Sequence, residues 1–535
     1  WQNNLEGGVQ VRRERKKRSI KRPLPVGASP QLLEEGLISG EFDRDYQALC
    51  ELLTNSDDLR SNIFRTHDNR RAALFYYAGL VNQQLLSQHV VRPLQNHAGT
   101  LTTTILTESL LGVADSEIVN QMDTIAVNLA NGAATLLVEG VSEAIVMTMP
   151  EFTDRGIERS QSEDVLIGPH HSFGEDLGMN LALLRRSLNS PKLKIKIMQI
   201  GRLSKTNVAI IYIDGVTQEK LVKEAEERLS RIDIDYIPGA SYLIEFLEQQ
   251  PFSLLPQLAL TERPDRVLAA LSEGRVAILA AGDPTCLIAP FFLPEAMQSP
   301  EDYYEKPLAS TFLRWLRLFS AALSIFLPGT WITLASFHHG IIPPTLFTSI
   351  VAGRENVPFP TVIEAFLLLV AFDIVIEAST RLPSAVGQAV GIVGAIILGQ
   401  SAVQASLISP SMTIVVALSG LAVYTLPSPS TVSAIRILKY LVLGISSILG
   451  LFGTMWAFIF ITIHATSMRS FGYPSLFPLA PFNARGILDI FIKLPNTLLT
   501  KRPQFLAAEN EQRMSEGLTP YPEKDGPRGS ENANS

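Results

Sequence analysis

The apolar positions of the chain follow two patterns, which change near residue 308. From Phe312 to His464, long stretches with few charges follow one another with short polar breaks. A helix needs about 20 apolar residues to cross the hydrocarbon core of a bilayer. Five stretches meet or approach that length: Leu316–Phe337, Thr361–Thr380, Val386–Ser409, Ser411–Leu426 and Ile437–Ala465. The pattern predicts a multi-span α-helical membrane domain. The alternative, a large soluble helical domain, would show polar faces that these stretches lack.

A sixth stretch, Ile341–Ala352, is too short to cross and carries Pro343 and Pro344. It is typical of a re-entrant or interfacial segment. Basic residues after Ala465 favour a cytoplasmic C terminus. If both ends of the membrane domain lie on one side, the number of crossings is even. Either Ile341–Ala352 then crosses, or one weak span such as Ser411–Leu426 is re-entrant.

The part of the chain before the membrane domain predicts two related α/β units in tandem. Two segments each predict a strand, a turn and a strand: Ala130–Met147 and Ser272–Ala289. Their glycines coincide when the segments are aligned: Gly132 with Gly274 and Gly140 with Gly282. The runs Ala72–Gly79 and Val208–Gly215 coincide as a second pair of strands. This spacing predicts a structural repeat.

Helices are predicted around these strands at Asp43–Leu59, Gln83–Asn96, Ser116–Ala130, Thr217–Ser230 and Pro264–Glu273. The fold class is therefore tandem α/β cytoplasmic domains followed by a multi-span α-helical membrane domain. The predicted boundaries are a basic disordered tail (1–41), a first α/β subdomain (42–155), an inter-domain segment (156–193), a second α/β subdomain (194–307), the membrane domain (308–467), and a polar C-terminal region with a disordered tail (468–535).

Composition and charge add little to this division. The net charge of −7 and the 46% apolar content average a polar N-terminal half and an apolar membrane domain. Cys50 and Cys286 are too few for a disulfide framework. The basic run between Arg12 and Arg22 is either a solvated tail or a contact for anionic lipid. No signal-peptide pattern follows it, so the N-terminal region is expected to be cytoplasmic. Arg314 and Arg317 at the start of the first span agree with that side.

The sequence predicts neither an enzyme nor a metal site. His170 and His171 stand beside Glu175 and Asp176, but neighbouring residues in a strand point to opposite faces, which favours a linker over a metal centre. No phosphate-binding glycine loop and no nucleophile elbow is present in the sequence. We therefore expect no catalytic residue, no metal, no cofactor and no nucleic-acid partner.

Acidic residues in the second long span are the first functional candidates. Glu364, Asp373 and Glu377 lie within this span or near its ends, where charges are costly and usually face water or a partner. Asp373 and Glu377 are four residues apart and share a helix face with Arg381. That face either lines a cation pathway, as an acidic collar repeated around a ring, or braces neighbouring helices through an ion pair. Glu364 follows two prolines near a span entrance and is expected at the interface.

Small and polar residues give further candidates. Gly387, Gly391 and Ala395 form a stripe at four-residue spacing that allows close helix packing, either within one subunit or between subunits. Gln400 and Gln404 continue that spacing with polar groups suited to lining water. Pro328 and Gly329 predict a kink in the first span, which serves gating or is purely structural. The last span contains three glycines: Gly444, Gly450 and Gly453.

Several motifs resemble one known family. They are TERPDRV (Thr261–Val267), EGRVAIL (Glu273–Leu279), QSPEDYYE (Gln298–Glu305), GRENVPFP (Gly353–Pro360), RLPSAVGQAVGIVGAIILGQSAVQASLIS (Arg381–Ser409) and PLAPFN (Pro478–Asn483). In this order they resemble the A subunits of the GerA family, the nutrient germinant receptors of endospore-forming bacteria. The resemblance runs from about Phe42 to Leu499. One departure is Ile376, because family members often carry arginine immediately before the second intramembrane glutamate, here Glu377.

The resemblance implies a protein of the spore inner membrane that acts with a transporter-like B subunit and a lipoprotein C subunit. It implies a homo-oligomeric ring whose membrane domains enclose a cation pathway that nutrient binding opens. The family also contains an accessory branch that amplifies ion release downstream. A third hypothesis is a non-conducting scaffold that holds the nutrient-sensing partner in place.

Overall fold

The computed structural model describes residues 36–97, 105–106, 115–150, 163, 167–382, 387, 394, 399–502, 506, 510 and 512–515. The N-terminal part contains two five-stranded antiparallel sheets. The first sheet consists of β1 (Leu59–Arg65), β2 (Arg71–Tyr77), β3 (Ser116–Val119), β4 (Ala133–Val138) and β5 (Ala144–Thr148). The second consists of β6 (Leu193–Ile200), β7 (Thr206–Ile213), β8 (Ala259–Thr261), β9 (Val276–Ala280) and β10 (Cys286–Ala289).

The two sheets have the same topology. The strand order is β1-β2-β4-β5-β3 in the first and β6-β7-β9-β10-β8 in the second. The glycines that the sequence alignment paired also have matching backbone angles, with φ of 90° and 98° at Gly132 and Gly274, and 82° and 87° at Gly140 and Gly282. Positive φ at a turn favours glycine because it has no Cβ. The predicted repeat is therefore present in the structure.

Helices cover these sheets. They are α1 (Phe42–Leu52), α2 (Met122–Ala130), α3 (Leu177–Ser187), α4 (Glu219–Ser230) and α5 (Pro264–Ser272). A further helical stretch runs from Gln83–Leu86 through a π-helical turn, Ser87–Val91, to Arg92–Asn96. The predicted helix at Ser116–Ala130 is wrong in its first part, because Ser116–Val119 is an edge strand. The segment 156–193, predicted as a linker, contributes α3, whose Leu181 and Leu184 lie in the core of the second sheet.

The two sheets are joined by a buried ion pair. Arg185, on α3, binds the carboxylate of Asp58 next to β1, and both side chains are almost fully buried. The guanidinium also stacks over the ring of Tyr77, 3.7 Å from its centroid. Nearby, the backbone N–H of Asp57 donates to the carbonyl of Ile195 on β6 at 2.8 Å. The edge of the first sheet thus sits on the edge of the second.

The apolar helical region follows, defined here as residues 307–467. It comprises α6 (Pro307–Ser336), α7 (Pro344–Ala352), α8 (Thr361–Thr380), α9 (Pro410–Val423) and α10 (Pro429–Ser467). Within the described residues, α6 and α10 are long and apolar enough to cross a membrane, judged by length and composition, and α9 is a shorter apolar helix. The apolar stretches Thr361–Thr380 and Ser411–Leu426 coincide closely with α8 and α9, and their crossing of a membrane stays a prediction.

The helices of this region alternate in direction. We call the end next to the sheets proximal and the opposite end distal. Near the proximal end, Ala321 of α6 packs with Val423 and Ile435. Farther out, Ile332 of α6 packs with Met412 and Leu443. Residue numbers therefore rise toward the distal end in α6 and the first part of α10, and fall in α9.

Contacts of α8 show in which direction this helix runs. The hydroxyl of Ser336, at the distal end of α6, donates to Thr361 at the start of α8, so α8 runs back toward the sheets. Gly394 lies against Val375 of α8, and Gly399 against Thr413 of α9. These two described glycines therefore lie farther toward the distal end as their numbers rise, and most of the predicted span Val386–Ser409 lies outside the described residues. The short helix α7 lies between the distal ends of α6 and α8 and makes no pass of its own.

α10 is a helical hairpin and not one straight rod. Gly450 has φ 61° and ψ −144° inside the helix. A Cβ on Gly453 would lie 2.5 Å from the carbonyl oxygen of Ile445, although residues eight apart in a straight helix are separated by about 12 Å. We call residues 429–449 the first leg and 451–467 the second leg. The second leg returns along α6, where the rings of Phe458 and Phe326 are 5.9 Å apart.

Among the described residues, α6, α8, α9 and the two legs of α10 alternate in direction, and the chain then returns to the sheets. After the second leg, Arg469–Ser470 and Tyr473–Pro474 form a small two-stranded sheet. Phe471 enters the core of the second α/β unit, where the guanidinium of Arg228 stacks 4.3 Å from its centroid. A last helix, α11 (Ala484–Phe491), follows. Both ends of the apolar region therefore adjoin the second sheet.

Candidate functional site

Asp373 is the centre of a charged cluster inside the apolar helical region. Its carboxylate lies 3.1 Å from Nζ of Lys439 and 3.5 Å from Nε of Arg436, both on the first leg of α10. The hydroxyl of Tyr440 donates to it at 2.5 Å. Arg436, Lys439 and Tyr440 share one helix face because they are three and four residues apart. We call these four residues the Asp373 cluster.

The Asp373 cluster lies at mid-depth, with Lys439 buried and the other three residues half-buried. Lys439 is 2% exposed and Asp373 17% exposed. At 1.5 Å per residue, Asp373 is about 18 Å from the distal start of α8, and Lys439 is about 17 Å from the turn at Gly450. The cluster holds two cations and one carboxylate. A single folded chain therefore already compensates the charge of Asp373 through Arg436 and Lys439. Arg381, the charge partner that the sequence suggested, pairs with Glu377.

Glu377 and Arg381 form a separate pair on the surface of α8. The guanidinium of Arg381 lies 2.7 Å from the Glu377 carboxylate, and these side chains are 77% and 54% exposed. The sequence predicts one face shared by Asp373, Glu377 and Arg381. In the structure Asp373 turns to α10, while Glu377 pairs along its own helix with Arg381. Of the carboxylates of Asp373 and Glu377, that of Glu377 is therefore the more exposed.

Glu364 is fully buried and caps another helix. Its carboxylate accepts hydrogen bonds from the backbone N–H and the hydroxyl of Ser409, both at 2.5 Å. Ser409 is the N-cap of α9, where the helix dipole favours a negative charge. The Nε of Arg354, from the loop after α7, lies 3.8 Å from the same carboxylate. Glu364 lies in the first turn of α8, where it joins helices and is not exposed; its place at the membrane interface stays a prediction.

The small and polar candidates fall on different surfaces. Gly391 and Ala395 lie outside the described residues. Gly387 is buried, and a Cβ there would come within 2.3 Å of the carbonyl oxygen of Ser379. Gln400 and Gln404 are both exposed on the single chain. These glutamines are accessible to water, to lipid or to another subunit.

Pro328 and Gly329 lie at the contact between α6 and the first leg of α10. Both are buried, and the helix continues through them. A Cβ on Gly329 would be 2.8 Å from the hydroxyl of Ser446 and 3.2 Å from a methyl of Val442. Close packing therefore explains the glycine. Of the three glycines in the last predicted span, only Gly450 has a backbone conformation that breaks the helix.

A second charged cluster joins the apolar helices to the second sheet. The fully buried carboxylate of Asp302 accepts from Nε of Arg314 at 3.1 Å and from the guanidinium of Arg317 at 2.8 and 2.9 Å. Arg314 also donates to the carbonyl of Asp489 on α11. Burial raises the pKa of Asp489 and lowers that of Lys493 beside it. We call Asp302, Arg314 and Arg317 the junction cluster, since it links three parts of the chain.

Among the described residues, histidine, cysteine and acidic side chains are the groups that can ligate a metal ion. Within the described ranges, no group of three or more acidic, histidine or cysteine side chains is arranged to hold a metal ion. His170 and His171 are both exposed. Cys286 is buried in β10, and burial raises the pKa of its thiol, so it is suited to packing and not to nucleophilic chemistry.

Sequence reasoning missed the basic half of the Asp373 cluster. The available signal was Lys439 itself, a cation in an otherwise apolar stretch that requires a carboxylate on another helix. It also missed Gly420 of α9, where a Cβ would clash with the ring of Phe372 at 2.2 Å. This contact brings α8 and α9 together.

Comparison with known proteins defines the class. The family model described as "Bacillus/Clostridium GerA spore germination protein" matches residues 47–505. The chain belongs to the GerA family of spore germination proteins, and its similarity to the A subunits of that family is confirmed.

Individual relatives span nearly the whole chain. Spore germination protein B1 of Bacillus subtilis (strain 168) is 34% identical over 470 residues, which cover 87% of this chain and 97% of that protein. The uncharacterized membrane protein YfkQ of the same organism is 33% identical over 492 residues, 91% of this chain and 95% of that protein. The crystal structure of the N-terminal domain of the A subunit of the Bacillus megaterium spore germinant receptor GerK3 is 27% identical, with a TM-score of 0.36. It covers 48% of this chain and 96% of that domain.

Proposed function

We propose that this chain is the A subunit of a nutrient germinant receptor in the inner membrane of a bacterial spore. In this proposal the two α/β units are cytoplasmic, and the apolar helical region crosses the membrane an even number of times. An even number of crossings keeps both ends of the region beside the sheets. The chain is a binding and conducting subunit and not an enzyme.

The observation that supports an ion pathway is the charged Asp373 cluster at mid-depth of the apolar helical region. An ion pair in the middle of a membrane domain is costly and commonly marks a pathway for ions. We propose that several copies form a ring and that the outer face of α8, with Glu377, borders the central opening. Gln400 and Gln404, which are exposed on the single chain, line the same opening. Nutrient binding to the complex opens it to cations.

Partners follow from the family. The chain acts with a transporter-like B subunit and a lipoprotein C subunit of the receptor. The junction cluster gives the α/β units a direct connection to α6, because Asp302 precedes this helix and both arginines are on it. A movement of the second α/β unit is thereby transmitted to the first membrane helix.

Two substitutions with opposite effects test the pathway. Glu377→Gln removes the exposed carboxylate and leaves Arg381, so cation selectivity is expected to fall. Arg381→Gln removes the cation that pairs with this carboxylate along α8, so cation selectivity is expected to rise. Reversal potentials of the complete receptor in liposomes measure both. Identical selectivity in the two variants and the parent, at equal protein levels, would remove Glu377 from the pathway.

A non-conducting scaffold is the second candidate. It is favoured by the complete compensation of Asp373 within one chain, which requires no pore. Receptor that binds its partner subunits in liposomes but passes no ions in the presence of nutrient would support this function. Spores that lack this protein test the accessory branch of the family. If the protein belongs to that branch, ion release in these spores begins normally and is only reduced in extent.

A further inference from the structure

The second α/β unit presents apolar side chains beside the end of the second leg of α10. Phe252 is 100% exposed, and Leu254 two residues later is 38% exposed. The neighbouring rings of Tyr242 and Phe246 are also exposed and lie 6.0 Å apart. Exposed apolar groups gathered in one place indicate a contact surface. We call residues 248–255 the Phe252 loop.

The Phe252 loop is held in a fixed shape. The buried side chain of Gln257 accepts from the backbone N–H groups of Gln249 and Gln250 at 3.0 and 3.3 Å, and donates to the carbonyl of Gln250 at 2.9 Å. The carboxylate of Glu248 accepts from the N–H of Gln257. A buried amide with three hydrogen bonds to one loop fixes the loop. The side chain of Phe252 is therefore exposed on a loop whose conformation is held by hydrogen bonds.

The Phe252 loop contacts the end of the second leg of α10. The hydroxyl of Ser253 lies 2.9 Å from Nε2 of His464 and 3.4 Å from the sulfur of Met468. His464 is in the last turn of the second leg. One turn earlier, Phe460 is 56% exposed, and Ile463 is 57% exposed. The exposed apolar surface of the second leg thus continues onto the Phe252 loop.

We propose that the Phe252 loop enters the cytoplasmic interface of the same bilayer that α10 crosses, and so anchors the second α/β unit to lipid. The inference rests on the proposed function, because it requires the second leg to span the membrane. The distal turn at Gly450 is about 21 Å from His464 along the leg. The hydrocarbon core is about 30 Å thick, so with the turn at its outer boundary His464 and the adjoining Phe252 loop lie within about 10 Å of its inner boundary. Aromatic side chains are enriched at that boundary.

Spin labels in the full-length chain test the anchor. Cys50→Ser and Cys286→Ala give a background without cysteine, and single cysteines are then placed by Phe252→Cys, Phe460→Cys and Ile63→Cys. The protein is reconstituted in vesicles of equal parts phosphatidylethanolamine and phosphatidylglycerol. Collision with oxygen, which concentrates in lipid, is compared with collision with a water-soluble nickel chelate. Ile63 is the aqueous control, since it is half exposed on β1 of the first sheet.

The expected result is an oxygen-to-nickel ratio several-fold higher at position 252 than at 63, approaching the ratio at 460. A ratio at 252 equal to that at 63, with 460 still in lipid, overturns the anchor and leaves the membrane span intact. A water-like ratio at 460 contradicts the span itself and the anchor with it. Protection of 252 from both reagents, with spin–spin broadening that disappears on dilution with unlabelled protein, assigns the surface to a second copy and overturns the lipid contact.

Discussion

The hydroxyl oxygens of Ser446 and Thr454 lie 2.8 Å apart, although an apolar run without a proline or a charge connects the two residues. In a straight helix their backbones would be about 12 Å apart. The hydrogen bond is therefore a direct consequence of the reversal at Gly450. It satisfies both hydroxyls inside an apolar surrounding, where an unpaired hydroxyl is costly.

Gly450→Ala is expected to destabilise the hairpin. The backbone angles at Gly450 are rarely adopted by residues with a Cβ, and the cost of forcing them is about 1–3 kcal/mol. The new Cβ would also lie 3.3 Å from Phe337 and His338. Thermal unfolding of the detergent-solubilised protein is expected to shift to lower temperature.

Gly444→Ala is the matched control for this prediction. Gly444 is in the first leg, and a Cβ there would have no neighbour within 4 Å. Alanine in a helix interior is favoured over glycine by about 1 kcal/mol, so its unfolding temperature is expected to rise slightly. A lower unfolding temperature for both variants, by the same amount, would contradict the special role of Gly450.

The Asp373 cluster predicts unequal effects of its two partners. Asp373→Asn leaves Lys439 buried without a carboxylate, and breaking a buried pair in this way costs about 3–5 kcal/mol. Lys439→Met leaves Asp373 with Arg436 and Tyr440, so its cost is expected to be smaller. The double variant Asp373→Leu/Lys439→Met removes both buried charges and is expected to recover much of the loss. Unfolding of the three purified variants in detergent measures their order of stability. A larger loss of stability for Lys439→Met than for Asp373→Asn would contradict this prediction.

Local patterns predicted the α/β part well where strands are buried on both faces. All six residues of β4 are buried, and such apolar runs next to a glycine turn were recognised in both units. β1 was missed because its sequence LRSNIFR is largely polar and exposed. It forms an edge of the sheet, and its pairing with β2 supplies the order that its composition does not. β3 was predicted as helix for a similar reason, since its burial comes only from pairing with β5.

In the apolar helical region, hydropathy does not determine where the chain reverses or which helices are neighbours. Hydropathy located the apolar segments, but both legs of α10 are equally apolar, so the reversal at Gly450 has no hydropathy signal. The pairing of Asp373 with Lys439 depends on which helices are neighbours, and the helix directions that decide this come from long-range packing. The even number of membrane crossings stays a prediction. What the described residues add is the reversal at Gly450, which divides the last predicted span into two legs.

Asp302→Asn is expected to weaken the connection between the α/β units and α6. Both arginines of the junction cluster are buried and would lose their only carboxylate among the described contacts. The expected loss is about 3–5 kcal/mol. Glu305→Gln, three residues later and half-buried, is the control with an expected change below about 0.5 kcal/mol. Protease cleavage between the second sheet and α6 in folded receptor is expected to increase for Asp302→Asn alone.

The pair of Arg185 and Asp58 predicts that lysine cannot replace arginine between the two sheets. Lysine lacks the planar group that binds the carboxylate through two nitrogens and stacks over Tyr77. Arg185→Lys is therefore expected to lower the unfolding temperature of the α/β part, with a loss of about 2–4 kcal/mol for a disrupted buried network. Arg186→Lys, on the exposed side of the same helix, is expected to have little effect.

Hydrogen exchange of the full chain locates the change caused by Arg185→Lys. The expected pattern is faster exchange at β1 and β6, with exchange at β4 and β9 unchanged. Faster exchange across all four strands would indicate general unfolding and contradict a role confined to the contact between the sheets.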